Sequence, residues 1–152
     1  FIFPYYRMKE EGFKIDIVGK EQNTSYKSKS GIAVKSDLAS KDISADDYDA
    51  LIIPGGFSPD YMRRTQATVD FAKAMNKQNK PIAAICHGPW LLISSCDLTN
   101  RELTGFYSLK VDIENAGATY LNKEVVVDGN LITSRNPNDL PAFVKAIIFT
   151  LK

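Results

Sequence analysis

The residues best suited to chemistry lie in the run Lys80-Pro-Ile-Ala-Ala-Ile-Cys86-His87-Gly88-Pro89. A buried strand there meets the start of a helix with no loop residues between, and Cys86 stands on the corner. A nucleophile on such a corner is lifted off the sheet and exposed, as serine is in hydrolase elbows, and the small Ala84 and Gly88 allow the tight backbone. The unpaired amides and dipole of the following helix favour a thiolate. A free cysteine on an apolar strand is more often structural than reactive. What sets Cys86 apart is the His, Gly and Pro that follow it at the carboxyl end of a strand, where open α/β sheets place their ligands. Cys96 has no such context and reads as a structural thiol.

His87, the only histidine, adjoins the nucleophile. Neighbouring side chains at an elbow usually point apart. Its open roles are therefore a general base from a rotated position, an oxyanion contact through its amide, or a plain helix-start residue. Pro54-Gly55-Gly56 ends another apolar strand, and a parallel neighbour would bring this turn beside Cys86 with backbone N–H groups toward a developing oxyanion. The alternative is an ordinary turn. Arg63, Arg64 and Arg135 suit either an anionic substrate or surface pairing with carboxylates.

These residues need a scaffold, and the chain spells one out. The first dozen residues read as a helix closed by Gly12, followed by a strand at Lys14 to Val18. Residues 20 to 31, polar and rich in Ser and Lys, read as a surface loop before the short extended Ile32-Ala33-Val34. Asp49 to Ile53 and Pro81 to Cys86 are near-continuous apolar runs, as expected for strands buried on both faces. Between them one helix is expected from Ser58-Pro59 through Val69, Phe71, Ala72 and Met75. His87 to Ser95 and Leu109 to Ala116 read as further helices, the second closed by Gly117. Lys123 to Val127 and Leu131 to Ser134 flank Asp128-Gly129-Asn130, a hairpin signal. Residues 139 to 151 form an amphipathic helix with Leu140, Phe143, Val144, Ile147 and Leu151 on one face. Strands alternating with helices imply a mostly parallel sheet covered on both sides. A doubly wound sheet normally begins with a strand feeding its first helix, so one strand is expected upstream of Phe1.

Composition narrows the function classes. The 152 residues, 44% hydrophobic and 24% charged, suit a single domain over 1–152. Nineteen basic against 18 acidic side chains, with no Lys/Arg run longer than two, give nothing that recruits nucleic acid or an anionic membrane. No apolar stretch approaches the roughly 20 residues of a membrane span, and the start lacks a signal peptide's features, so a cytoplasmic protein is expected. Two free thiols suit that compartment, and a single histidine argues against a zinc site.

Three spaced motifs carry a family resemblance: Ala-Ile-Cys86-His87-Gly88-Pro89, the upstream Ile-Pro54-Gly55-Gly56-Phe-Ser-Pro59-Asp60, and the downstream Asp128-Gly129-Asn130 with Thr133-Ser134-Arg135-Asn-Pro137. Together they resemble the PfpI branch of the ThiJ/PfpI superfamily along nearly the whole chain. The resemblance implies a flavodoxin-like three-layer sandwich, like that of class I glutamine amidotransferases, assembled as a homodimer or larger ring. It implies Cys86 as nucleophile, His87 beside it, and Gly55, Gly56 and Gly88 around the oxyanion and substrate. The implied activity needs no cofactor or metal. It is glyoxalase or deglycase chemistry on small carbonyl compounds or their adducts, linked to stress, or alternatively an intracellular peptidase or amidase. A redox sensor or chaperone working through Cys86 oxidation is a third reading.

Three departures bear on the choice. The family's glutamate next to the sulfur would precede Phe1. The position of a peptidase-type glutamate from the adjacent subunit is matched by Gln66, which cannot act as a carboxylate base. The family's Ser-Tyr-Pro is replaced by Gly105-Phe106-Tyr107, so a pocket hydroxyl is lost or moved to Tyr107.

Overall fold

The computed structural model describes residues 1–152. In chain order its elements are α1 (Ile2–Glu10), β1 (Val18–Gly19), β2 (Ser25–Lys27), β3 (Ala33–Lys35), β4 (Leu38–Ala39), β5 (Leu51–Ile53), α2 (Ser58–Arg63), α3 (Gln66–Lys77), β6 (Ile82–Ile85), α4 (Pro89–Ser95), β7 (Glu102–Leu103), α5 (Lys110–Asn115), β8 (Thr119–Tyr120), β9 (Val125–Asp128), β10 (Leu131–Ser134) and α6 (Leu140–Leu151). The central sheet runs β5-β6-β10-β9, with β5, β6 and β10 parallel and β9 antiparallel to β10. The fold is the expected α/β sandwich with a mixed, mostly parallel sheet.

Period-two alternation along the inner strands decides the layering. All four residues of β6 are buried, and they face opposite ways. Ile82 and Ala84 join Leu131 and Ile53 against Val69, Ala72 and Met75 of α3 and Leu91 and Leu92 of α4. Ala83 and Ile85 join Ile132 against Met8 of α1 and Phe143, Val144 and Ile147 of α6. One strand thus serves two cores, as the apolar run required. Three helix ends share one device: α1, α3 and α5 close on Gly12, Asn79 and Gly117, each at positive φ. In each case the next residue's N–H reaches back to the helix, as from Phe13 to Met8 O at 3.2 Å.

Besides β7 and β8, which carry no signal in the sequence reading, and α4, which starts at Pro89 rather than His87, three stretches differ from it. Residues 14–17 form no ladder, and the strand there shrinks to β1, which pairs in parallel with β4. The Ile17 N–H instead donates to Asp37 Oδ2 at 2.8 Å. The polar stretch at 20–31 contains β2, which forms an antiparallel hairpin with β3; its strand residues are exposed, so no apolar alternation marks it. The single helix expected from Ser58 to Met75 is two, because Thr65 is extended at φ −107° and ψ 107°. No helix is long and apolar enough to cross a membrane.

Candidate active site

Cys86 follows directly on β6 and has φ +64°, in the left-handed region that a side chain enters only at a cost of about 1 kcal/mol or more. Its backbone is over-determined. The Cys86 N–H donates to Ser134 O at the end of β10 (2.9 Å), and its carbonyl accepts from the Phe106 N–H (2.8 Å). The chain then turns through Gly88, whose N–H donates to Ile85 O at 2.8 Å, into α4. A Cβ on Gly88 would sit 2.9 Å from the Ile85 backbone, so only glycine lets the helix start this soon.

The parallel pairing of β5 with β6 carries the Gly55-Gly56 turn against Cys86. A Cβ on Gly55 would lie 2.6 Å from Cys86 Cβ and 3.4 Å from its sulfur. Ser58 holds the turn by donating its hydroxyl to Gly55 O at 2.9 Å. Gly56 has φ +67°. The backbone N–H groups of Gly56 and His87 donate to nothing within the chain, whereas that of Gly88 is used inside the elbow. The role open to Gly88 is therefore steric, and the free donors of the two turns include those of Gly55, Gly56 and His87.

His87 Nδ1 lies 3.2 Å from Cys86 Sγ, so the two neighbours meet despite the tendency of an elbow to splay them. Burial pushes the imidazole's pKa below its usual value, favouring the neutral ring that can accept a proton. Phe106 stacks on His87 with ring centroids 5.0 Å apart, and Trp90 meets it edge-on at 4.9 Å. Tyr107, beside Phe106, is 75% exposed and points its hydroxyl at no protein partner.

Other sequence candidates make no hydrogen bond to Cys86 or His87. Gln66, the first residue of α3, donates to Asp70 Oδ1 at 2.9 Å and makes no hydrogen bond to Cys86 or His87. Arg64 pairs with Asp60 and lies over the Tyr61 ring. Arg135 forks onto Asp139 at 2.9 and 3.1 Å. Arg63 donates to Ser94 Oγ at 3.0 Å. Cys96 is a half-buried free thiol whose pKa burial pushes up, the opposite of an activated nucleophile. No three His, Cys, Asp or Glu side chains converge as a metal donor set. Sequence reading missed the site roles of Ser58, Ser134 and Trp90. Only Trp90 carried a signal, at i+3 from His87 on a helix.

The family model described as the DJ-1/PfpI family matches residues 1–150. General stress protein 18 of Bacillus subtilis is 47% identical over 92% of this chain and 83% of its own length. Deglycase PfpI of Pyrococcus furiosus is 40% identical over 99% and 90%. A second Bacillus subtilis relative, named as a candidate cysteine protease YraA, is 43% identical over 98% and 88%. Among solved structures, a two-domain protein of Anabaena variabilis with DJ-1/ThiJ/PfpI-like and ferritin-like domains superposes with a TM-score of 0.96 at 44% identity. The match covers 99% of this chain but 45% of that one, so the chain spans less than half of that protein.

Proposed function

Because the chain belongs to the DJ-1/PfpI family, we propose that it is a cysteine-nucleophile enzyme acting on reactive α-oxoaldehydes or the adducts they form with amines. The observation that carries this reading is Cys86 held at φ +64° with its sulfur 3.2 Å from His87 Nδ1, beside the free N–H groups of Gly56 and His87. As Sγ bonds to the aldehyde carbon, the C=O electron pair moves onto oxygen and the thiol proton passes to Nδ1. The resulting alkoxide needs N–H donors in a protein-lined site, which the glycine turn and the elbow supply. The names of the deglycase and stress-protein relatives support carbonyl chemistry with a stress-linked role.

The test compares methylglyoxal consumption, and amine release from methylglyoxal-modified peptide, by the parent and Cys86→Ala without added glutathione. The parent turns both over and the variant falls to background; equal rates would sink the proposal. A peptidase reading is favoured by one relative's name alone. It requires cleavage of a fluorogenic peptide that Gln66→Glu increases, and Gln66 supplies no carboxylate as it stands. A homo-oligomer is also proposed, supported by exposed Ile2, Phe3 and Tyr6 on α1 and Phe149 on α6. Light scattering on the eluting protein should give a mass above one chain.

A further inference from the structure

A cysteine-histidine pair works only if the imidazole is held with one nitrogen toward the sulfur, and the usual device is a hydrogen-bond acceptor on the other nitrogen. In this chain the contact from Nδ1 to Cys86 Sγ is the one side-chain hydrogen bond His87 makes. Its ring is fixed by its faces instead. Phe106 lies nearly parallel to it, at 26° and 5.0 Å, and Trp90 meets it at 61° and 4.9 Å. Phe106 is tied to the nucleophile itself, since its N–H donates to Cys86 O at 2.8 Å. Trp90 is tied from outside: its indole Nε1–H donates to Asp112 Oδ2, on α5, at 3.3 Å.

We propose that Trp90, anchored by Asp112, is a positioning residue that clamps the His87 imidazole against Phe106 with Nδ1 directed at Cys86 Sγ. Edge-to-face and stacked aromatic pairs favour particular ring geometries, and two of them on one imidazole select one ring orientation among a few rotamers. Partial burial of the ring beside Phe106 and Trp90 also shifts it toward the neutral form. Asp112, engaged with the indole, and Arg63 are the charged residues that line, with Trp90, a shallow cavity of about 260 Å³. The inference rests on Cys86 and His87 being the reacting pair, but it concerns the thiol rather than the substrate.

The experiment therefore uses no carbonyl compound. The rate at which iodoacetamide alkylates Cys86, resolved from Cys96 by peptide mass spectrometry, is measured from pH 5.5 to 9 for the parent, Trp90→Ala, Trp90→Phe and Asp112→Ala. Trp90→Ala should slow alkylation at neutral pH about tenfold and move its half-maximal pH upward, a fraction of the effect of losing a general base outright. Trp90→Phe, which keeps a ring against His87, should recover most of the rate. Asp112→Ala, on an exposed carboxylate, should slow it about threefold, and this variant decides the matter if Trp90→Ala fails to fold. A Trp90→Ala or Asp112→Ala profile superimposable on the parent overturns the clamp. Methylglyoxal turnover that persists alongside such a result leaves the carbonyl reading standing; loss of turnover dependence on Cys86 removes that reading separately.

Discussion

At the scale of single residues, the chain's only tryptophan and only histidine are in contact, and that gives an optical handle on the site. A protonated imidazole quenches a neighbouring indole, so Trp90 emission should fall as pH drops through the His87 pKa. Burial sets the midpoint below the unperturbed value of about 6.5. A midpoint at or above that value, or an unchanged titration in His87→Ala, would contradict a neutral buried ring. The sign for stability follows from the same shift. The unfolded state binds the proton more readily, so the contribution is complete above about pH 6.5 and is lost as pH falls toward the folded value. Gly55→Ala tests the other wall of the site. Its new Cβ would meet Cys86 Cβ at 2.6 Å, backed by the strand, so the cysteine must move. A loss of about 1–3 kcal/mol in stability and a fall in Cys86 alkylation are expected, the first read by denaturant unfolding. The nucleophile itself was legible in the sequence, because glycine, proline and an apolar strand around one cysteine leave few other geometries. Its clamp was not, because Trp90, Phe106 and Asp112 come from different elements and meet only after folding.

At the scale of elements, β6 announced itself because burial on both faces leaves an unbroken apolar run, whereas β5, read the same way from an equally apolar run, stands at the edge of the four-stranded sheet with only Ile53 fully buried. The β2–β3 hairpin did not, since its strand residues face solvent. The break between α2 and α3 was hidden for another reason: apolar residues keep helical spacing across Thr65 while its backbone alone departs. The β9–β10 hairpin was legible from Asp128-Gly129-Asn130, but its fastening was not. Asp128 accepts the Glu102 N–H at 2.9 Å and Arg101 Nε at 2.8 Å, binding β7 to the hairpin. The Glu102 hydrogen bond first, and Arg101 second, hold its carboxyl below the usual range. That stabilisation is present above an unfolded pKa of about 3.9 and is lost as pH falls through the lower folded value. Asp128→Asn should cost about 1–2 kcal/mol at neutral pH and flatten the acid limb of stability against pH. An acid limb as steep as the parent's would show that other carboxylates govern it.

At the scale of the whole molecule, β6 joins two cores, so a loss on one face must be felt on the other. Phe143 is fully buried on the face opposite α4, which carries Trp90. Phe143→Ala should destabilise by about 3–5 kcal/mol, and far-UV circular dichroism and Trp90 fluorescence should shift together in one transition. Separate transitions would mean that the two faces unfold independently. That shared sheet is what allows a strained Cys86 to persist at a strand end, fixed by β10 on one side and Phe106 on the other. The central claim is that this strained thiol is the atom that attacks the carbonyl carbon. Acid quenching during methylglyoxal turnover, which slows collapse of a hemithioacetal or thioester, followed by peptide mass spectrometry at low pH, reads that bond directly. A one-substrate adduct on the Cys86 peptide, absent from the Cys96 peptide and from Cys86→Ala, is the expected result; undiminished turnover with Cys86 unmodified and replaceable by alanine would contradict it.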